Sequence, residues 1–257
     1  MLFKPWLDLP APRHELHEDS SSDEDVHKSG DEDEMEEESE EALVPQKKKP
    51  SGIMITVKPR RKISRLVVVA PAFESVILAL SAATIAPPCS SVTIRSSVTD
   101  LTLPIFHHIT HDFFWLRMPI LPPTECYLVA QELLRTLDPD LTVLVTPLFV
   151  DPDDPVKVIA TSKCASTVFP ELSYLQAPHF ITGIFAAILS CAEILQMQAL
   201  ALMCTAEGVP DREYVEEDVA VISAKALCKV LSIEPSSWIF DYSIFRRHQI
   251  RSTGMYV

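Results

Sequence analysis

Two apolar runs, Leu66-Val67-Val68-Val69 and the longer stretch from Leu141 to Val150, constrain this chain more than anything else in it. A strand with one wet face alternates apolar and polar side chains, whereas an unbroken apolar run suits a strand covered on both faces. Phe73 to Ala83 reads as a helix with Val76, Ile77 and Leu80 inward. Thr124 to Leu137 reads as another, with Leu128, Leu133, Leu134 and Leu137 on its apolar face and Asp138-Pro139 as its stop. Ile53 to Val57, Val92-Thr93-Ile94 and Phe113 to Leu116 read as further strands, with Pro104 and Pro119 limiting the last of these regions. After a turn at Asp151 to Pro155 come an apolar helix, Gly183 to Leu195, and a strand, Ala199 to Met203. Asp211 then offers an N-cap for a helix facing inward through Val215, Val219, Ile222, Ala226 and Val230. Strands alternating with helices predict an α/β fold, a central sheet covered by helices on both faces.

Charge shortens the part of the chain available to that fold. Residues 15–41 hold 15 acids and one base, Lys28, which accounts for the whole formal net charge of −14; the other 21 acids and 21 bases cancel. A run so poor in apolar residues cannot bury enough surface to offset chain entropy, so a disordered segment is expected. The expected organisation is a disordered acidic region over residues 1–50, an α/β domain over 51–242 and a flexible C-terminal tail over 243–257. Within the acidic run, Ser20, Ser21 and Ser22 each have an acid three positions on, a pattern suited to acid-directed kinases. Lys47 to Lys49 and Arg60 to Lys62 have the spacing of a bipartite import signal. A strand at Ile53 to Val57 between them would lock such a signal into a sheet.

Several chemistries find no footing. Five glycines and no glycine-rich loop argue against a nucleotide-phosphate cradle, and there is no G-x-S-x-G elbow. The balanced charge of the body shows no basic stripe for nucleic acid. Six cysteines without a C-x-x-C pair read as buried small hydrophobes rather than a zinc or disulfide framework. No secretory signal is evident at the N-terminus. Phe180 to Ala206 is interrupted by Glu193, Gln196 and Gln198, which favours two buried elements over a membrane span. The densest set of possible metal ligands is His107-His108-Ile109-Thr110-His111-Asp112, with Asp151, Asp153 or Asp154 as conceivable additions. A metal-dependent or α/β hydrolase-like enzyme built on it is the alternative reading; surface-turn histidines are the plainer one.

The last three residues, Met255-Tyr256-Val257, follow a polar, basic stretch containing Arg246, Arg247 and Arg251. An apolar side chain, a tyrosine and an α-carboxylate make a three-point plug for another protein's pocket. Burying Met255 and Tyr256 contributes about 1.5–3 kcal/mol each, and a charge-assisted bond about 1.5–3 kcal/mol. Association costs of about 4–15 kcal/mol consume most of that. Such a plug sets placement and specificity and needs a second contact for tight binding.

Four stretches occur in order: Ser64 to Ala70 with the helix at Phe73, Asp140 to Thr146, Pro178 to Cys191, and the terminal Met255-Tyr256-Val257. Together they resemble the proteasome assembly chaperone 1 family over residues 53–257. The resemblance implies a non-enzymatic chaperone without a cofactor, resident in the cytoplasm and open to the nucleus. It implies a heterodimer with proteasome assembly chaperone 2 that promotes α-ring formation in the 20S proteasome core particle. The family's hydrophobic-Tyr-X motif falls on Met255, Tyr256 and Val257, which are expected to enter a pocket between neighbouring α subunits, where a lysine pairs with the carboxylate. A third reading, an acidic histone-type chaperone, rests on residues 15–41 alone.

Overall fold

A computed structural model of the chain describes residues 54–57, 62–80, 87–95, 99–148, 154–164, 172–177, 179–209, 213–234 and 237–253. The acidic run 15–41, the Lys47 to Lys49 cluster and the terminal Met255-Tyr256-Val257 lie outside these residues.

Among the described residues nine strands form one mixed sheet: β1 (Met54–Val57), β2 (Arg65–Val69), β3 (Ser90–Arg95), β4 (Asp100–His108), β5 (Phe113–Arg117), β6 (Leu141–Leu148), β7 (Val156–Ala160), β8 (Ser173–Tyr174) and β9 (Ala199–Thr205). Their order is β1-β3-β4-β5-β2-β6-β9-β7-β8. The four central strands β5, β2, β6 and β9 are parallel, and the β1-β3-β4-β5 side is an antiparallel meander. β2 and the body of β6 are buried on both faces, as their largely apolar runs predict, with Thr142 and Thr146 buried among the apolar residues of β6.

Five α-helices among the described residues cover the sheet: α1 (Glu74–Leu80), α2 (Pro123–Leu137), α3 (Gly183–Ile194), α4 (Glu217–Val230) and α5 (Tyr242–Thr253). α2 packs on α3, and α1 packs on α4 and α5. From β2 the chain crosses through α1 toward β5, whereas from β5 through α2 and from β6 through α3 it moves the opposite way. Right-handed crossovers therefore put the two helix groups on opposite faces, the expected α/β layering.

Local departures from the sequence reading have identifiable causes. β4 runs straight through Pro104. That residue pairs with Ser91 on β3, but β5 joins β4 only from Ile105, so on that side no partner strand is present to ask Pro104 for an N–H. α4 begins at Glu217, with Glu216 as its N-cap residue, rather than near Asp211, which lies outside the described residues. Val215 is buried ahead of the helix, beside the bridge between Glu207 and Tyr214. The buried positions are Ala220, Ser223, Ala224, Leu227 and Cys228 together with the expected Ala226 and Val230, while Val219 is half-buried and Ile222 is exposed. In α2, Leu128 also faces solvent. Of the segment 243–257 expected as tail, residues 243–253 belong to α5, held down by the buried Phe245. β7 and β8 add an edge that the periodicity did not indicate.

Candidate functional site

The histidine string is the β4–β5 hairpin. His107, next to last in β4, is stacked on Phe114, with ring centroids 4.4 Å apart and Nε2 3.0 Å from Asp112 Oδ1. His108 is 2% exposed, sandwiched against His111 and Phe113 at 4.8 and 4.7 Å. Its Nδ1 accepts the His111 backbone N–H. Burial, reinforced by the neighbouring His111, lowers the His108 pKa to about 4, so the ring is neutral. Asp112 turns the chain with φ 47°, in the left-handed region that Asp tolerates. Arg65, at the start of β2, donates from one guanidinium nitrogen to the His111 carbonyl and from the other to Leu231, just past α4. Among the described residues no group of three or more His, Cys, Asp or Glu side chains is placed to hold a metal ion. His107, Asp112 and His108 Nδ1 hold the turn, His108 Nε2 is buried without a hydrogen-bond partner among the described residues, and nothing in the described geometry supports the enzyme alternative.

The cysteines give no better nucleophile. Five are buried, and burial raises their thiol pKa values, those of Cys204 and Cys228 to about 12.

At the opposite end of the sheet, beyond the carboxyl ends of β2, β6 and β9, lies a cavity of about 320 Å³. Ala70, Thr146 and Met203 line its floor, the α3 N-terminus from Phe180 to Phe185 forms a wall, and Ile120 stands ahead of α2. Phe180 and Ile120 are exposed at 71% and 56%, so the apolar lining continues onto the surface. The strand order reverses between β2 and β6, and open α/β sheets form their crevices at such a reversal. The stretch Pro178 to Cys191, prominent in the sequence, supplies much of this wall. Sequence reading alone missed the cavity because its lining converges from several separate connections. The reversal, once the strand order is known, is the signal that locates it.

The terminal Met255, Tyr256 and Val257 lie outside the described residues, but the helix leading to them is well fixed. Asp241 Oδ1 accepts the N–H groups of Ser243 and Ile244 at 2.9 and 3.1 Å, capping the start of α5. These contacts, with the Ser243 hydroxyl first, hold the Asp241 carboxyl below the usual carboxylate range. Farther along, Arg246 makes a bidentate pair with Glu217, and Gln249 donates to the Val215 carbonyl while accepting from the Ser75 hydroxyl. The site predicted from sequence therefore starts from a helix bound to α1 and α4 rather than from a loose strand of chain.

Comparison with known proteins follows this architecture. Among solved structures the chain is similar to Pyrococcus furiosus PbaA, an archaeal homologue of proteasome-assembly chaperone, at 13% identity, covering 78% of this chain and 94% of that one with a TM-score of 0.57. It is similar to Pyrococcus furiosus PbaB, an archaeal proteasome activator, at 13% identity over 79% and 97% of the two chains with a TM-score of 0.52. A Thermoplasma acidophilum protein of unknown function shares 11% identity over 74% and 82%, with a TM-score of 0.51. At such identities the shared property is the fold. No match is found among curated proteins. The POC1 chaperone family matches residues 91–257, from β3 through α5 to the terminal tripeptide. With about two thirds of its length so matched, on the fold just described, the chain belongs to the POC1 chaperone family.

Proposed function

We propose that this chaperone promotes assembly of the 20S proteasome core particle, helping α subunits close into a ring as a heterodimer with proteasome assembly chaperone 2. Its terminal Met255, Tyr256 and Val257 dock in a pocket between two α subunits. The observation that carries this reading is the family match over 91–257, which runs to the terminal plug. The anchoring of α5 supports it: with Phe245 buried and Arg246 and Gln249 engaged, the four residues after Thr253 start from a fixed point. Fully extended, four residues reach about 14 Å, so the body necessarily lies close to whatever the plug enters. That closeness supplies the second contact that a weak tripeptide requires.

The test is recovery from cells of the chain tagged at its N-terminus. Proteasome α subunits and a second chaperone are expected to co-purify. A peptide appended after Val257 lowers α-subunit recovery at least tenfold while the second chaperone stays bound. Equal α-subunit recovery from both forms defeats the plug. If neither α subunits nor a second chaperone come with the unextended chain, the assembly role itself is wrong.

A further inference from the structure

The three arginines of α5 stand in different surroundings, and the helix that carries them leads directly to the terminal plug. We infer that Arg247 and Arg251 form a second docking surface, which takes a carboxylate-bearing patch on the proteasome α subunits flanking the plug's pocket; this deepens, and rests on, the function proposed above.

The rotation of α5 is set by its contacts. Phe245 is buried, Gln249 bonds to Ser75 and to the Val215 carbonyl, and Arg246 is spent on Glu217 of α4. At about 100° per residue, positions 245 and 249 mark the inward side of the helix. The opposite side is then the row 243, 247 and 251, spaced four apart. Ser243 and Arg247 on that row are both exposed, as the rotation requires. Asp241, the acid on which Arg247 acts, is already held chiefly by the Ser243 hydroxyl and the Ile244 N–H.

Charge and chain length identify the occupant. From Tyr242 to Val257 the sequence has three arginines, one histidine and no acidic side chain, although acids and bases balance over the chain outside residues 15–41. A cation in the last turn of a helix complements its dipole, which accounts for Arg251 within the fold; Arg247, in the middle of α5, gains nothing from that. Like charges four residues apart weaken a helix, and an external carboxylate removes that penalty. Arg247 lies about 9 Å along the axis from Thr253, and four extended residues reach about 14 Å beyond it. The rim of the pocket that receives the plug therefore falls within reach of the row. A guanidinium fork matches a carboxylate through two parallel bonds, so the partner groups are Asp or Glu side chains. Two arginines release too few counterions for stable nucleic-acid binding.

In the experiment the full-length chain, co-purified with the second chaperone, is titrated onto immobilised 20S core particles at low and at high salt. Each exposed pair is worth about two- to fivefold in affinity and is screened by salt. Arg247→Glu combined with Arg251→Glu is expected to weaken binding about tenfold at low salt, and the difference from the unchanged chain shrinks at high salt. Arg247→Lys keeps most of the affinity. Arg135→Glu, the same change of charge on α2 across the sheet, leaves it unaltered. Arg247→Gln, neutral and compatible with a helix, weakens binding about twofold and decides the question if the double reversal lowers the melting temperature. Equal affinity of the charge-reversed or neutral variants, or a loss in Arg135→Glu as large as in Arg247→Glu, overturns the row while the plug stands. A double reversal that loses retention on phosphatidylserine vesicles but not on core particles assigns the row to lipid and overturns the contact with α subunits. Failure of the unchanged chain to bind core particles overturns plug and row together.

Discussion

The two ends of the parallel strands make opposite uses of their residues. The β4–β5 hairpin at one end gathers three histidines and an aspartate, and every one of them is stacked, buried or tied into the turn. The cavity at the other end is lined mostly by apolar side chains, with Glu213 the charged residue among its described lining. Density of reactive side chains at the hairpin therefore reflects packing of the turn, whereas the open space lies where such side chains are sparse.

That contrast can be broken at the hairpin first. Phe113 is 1% exposed and stacks on His108; Phe113→Ala is expected to cost about 3–5 kcal/mol in denaturant unfolding. A loss below about 1 kcal/mol would mean that the hairpin stack is not part of the core. His108 gives the next largest effect. Its folded pKa, near 4, lies below the ordinary 6.5, so the unfolded chain binds the extra proton. The contribution is complete above about pH 6.5 and is lost as pH falls toward 4, amounting to about 3 kcal/mol. His108→Leu should flatten that part of the stability profile; an unchanged profile would remove the histidine from the account.

Smaller effects belong to the cavity end. Gly183 opens α3 with φ 64°, and a Cβ there would meet nothing within 4 Å. Gly183→Ala thus costs only backbone strain, about 1–2 kcal/mol; a larger loss in thermal unfolding would reveal a steric demand that the geometry does not contain. Smallest of all, Ile120→Ser and Phe180→Ser should change stability by no more than about 0.5 kcal/mol, since both side chains are mostly in water. A substantial drop in either would make the rim part of the core.

The sequence conveyed the parallel centre of the fold well, because β2 and the body of β6 are buried on both faces and their side chains are mostly apolar, with Arg65 confined to the strand start and threonines the only polar residues within β6. It conveyed the helix faces less well. Leu128 and Ile222 look inward by type, yet each is exposed, since the axis of a helix is rotated by what it packs on and not by its own composition. Pro104 looked like a strand end because its missing N–H matters only if a neighbour strand asks for it, and that depends on where β5 stops. The cavity was illegible for a related reason: Ala70, Thr146 and Met203 lie far apart along the chain and become neighbours only through strand order. The hydrophobic-Tyr-X tripeptide was legible as a motif, whereas the helix that carries its approach was not, α5 having a weakly apolar and strongly basic sequence.

Arg65 gives the molecule a mechanical polarity. One side chain, through two nitrogens 2.7 Å from the carbonyls of Leu231 and His111, rivets the end of α4 to the hairpin across the start of β2. Only a forked cation can span both, so Arg65→Lys releases one side. Loosening that begins at the other end, where among the described residues no such rivet joins the first turn of α3 to the strands, can hinge about Arg65 as a fixed pivot. Amide exchange should therefore be slowest around the rivet and quicken toward the first turn of α3, so that breathing at the mouth leaves the base of the sheet undisturbed.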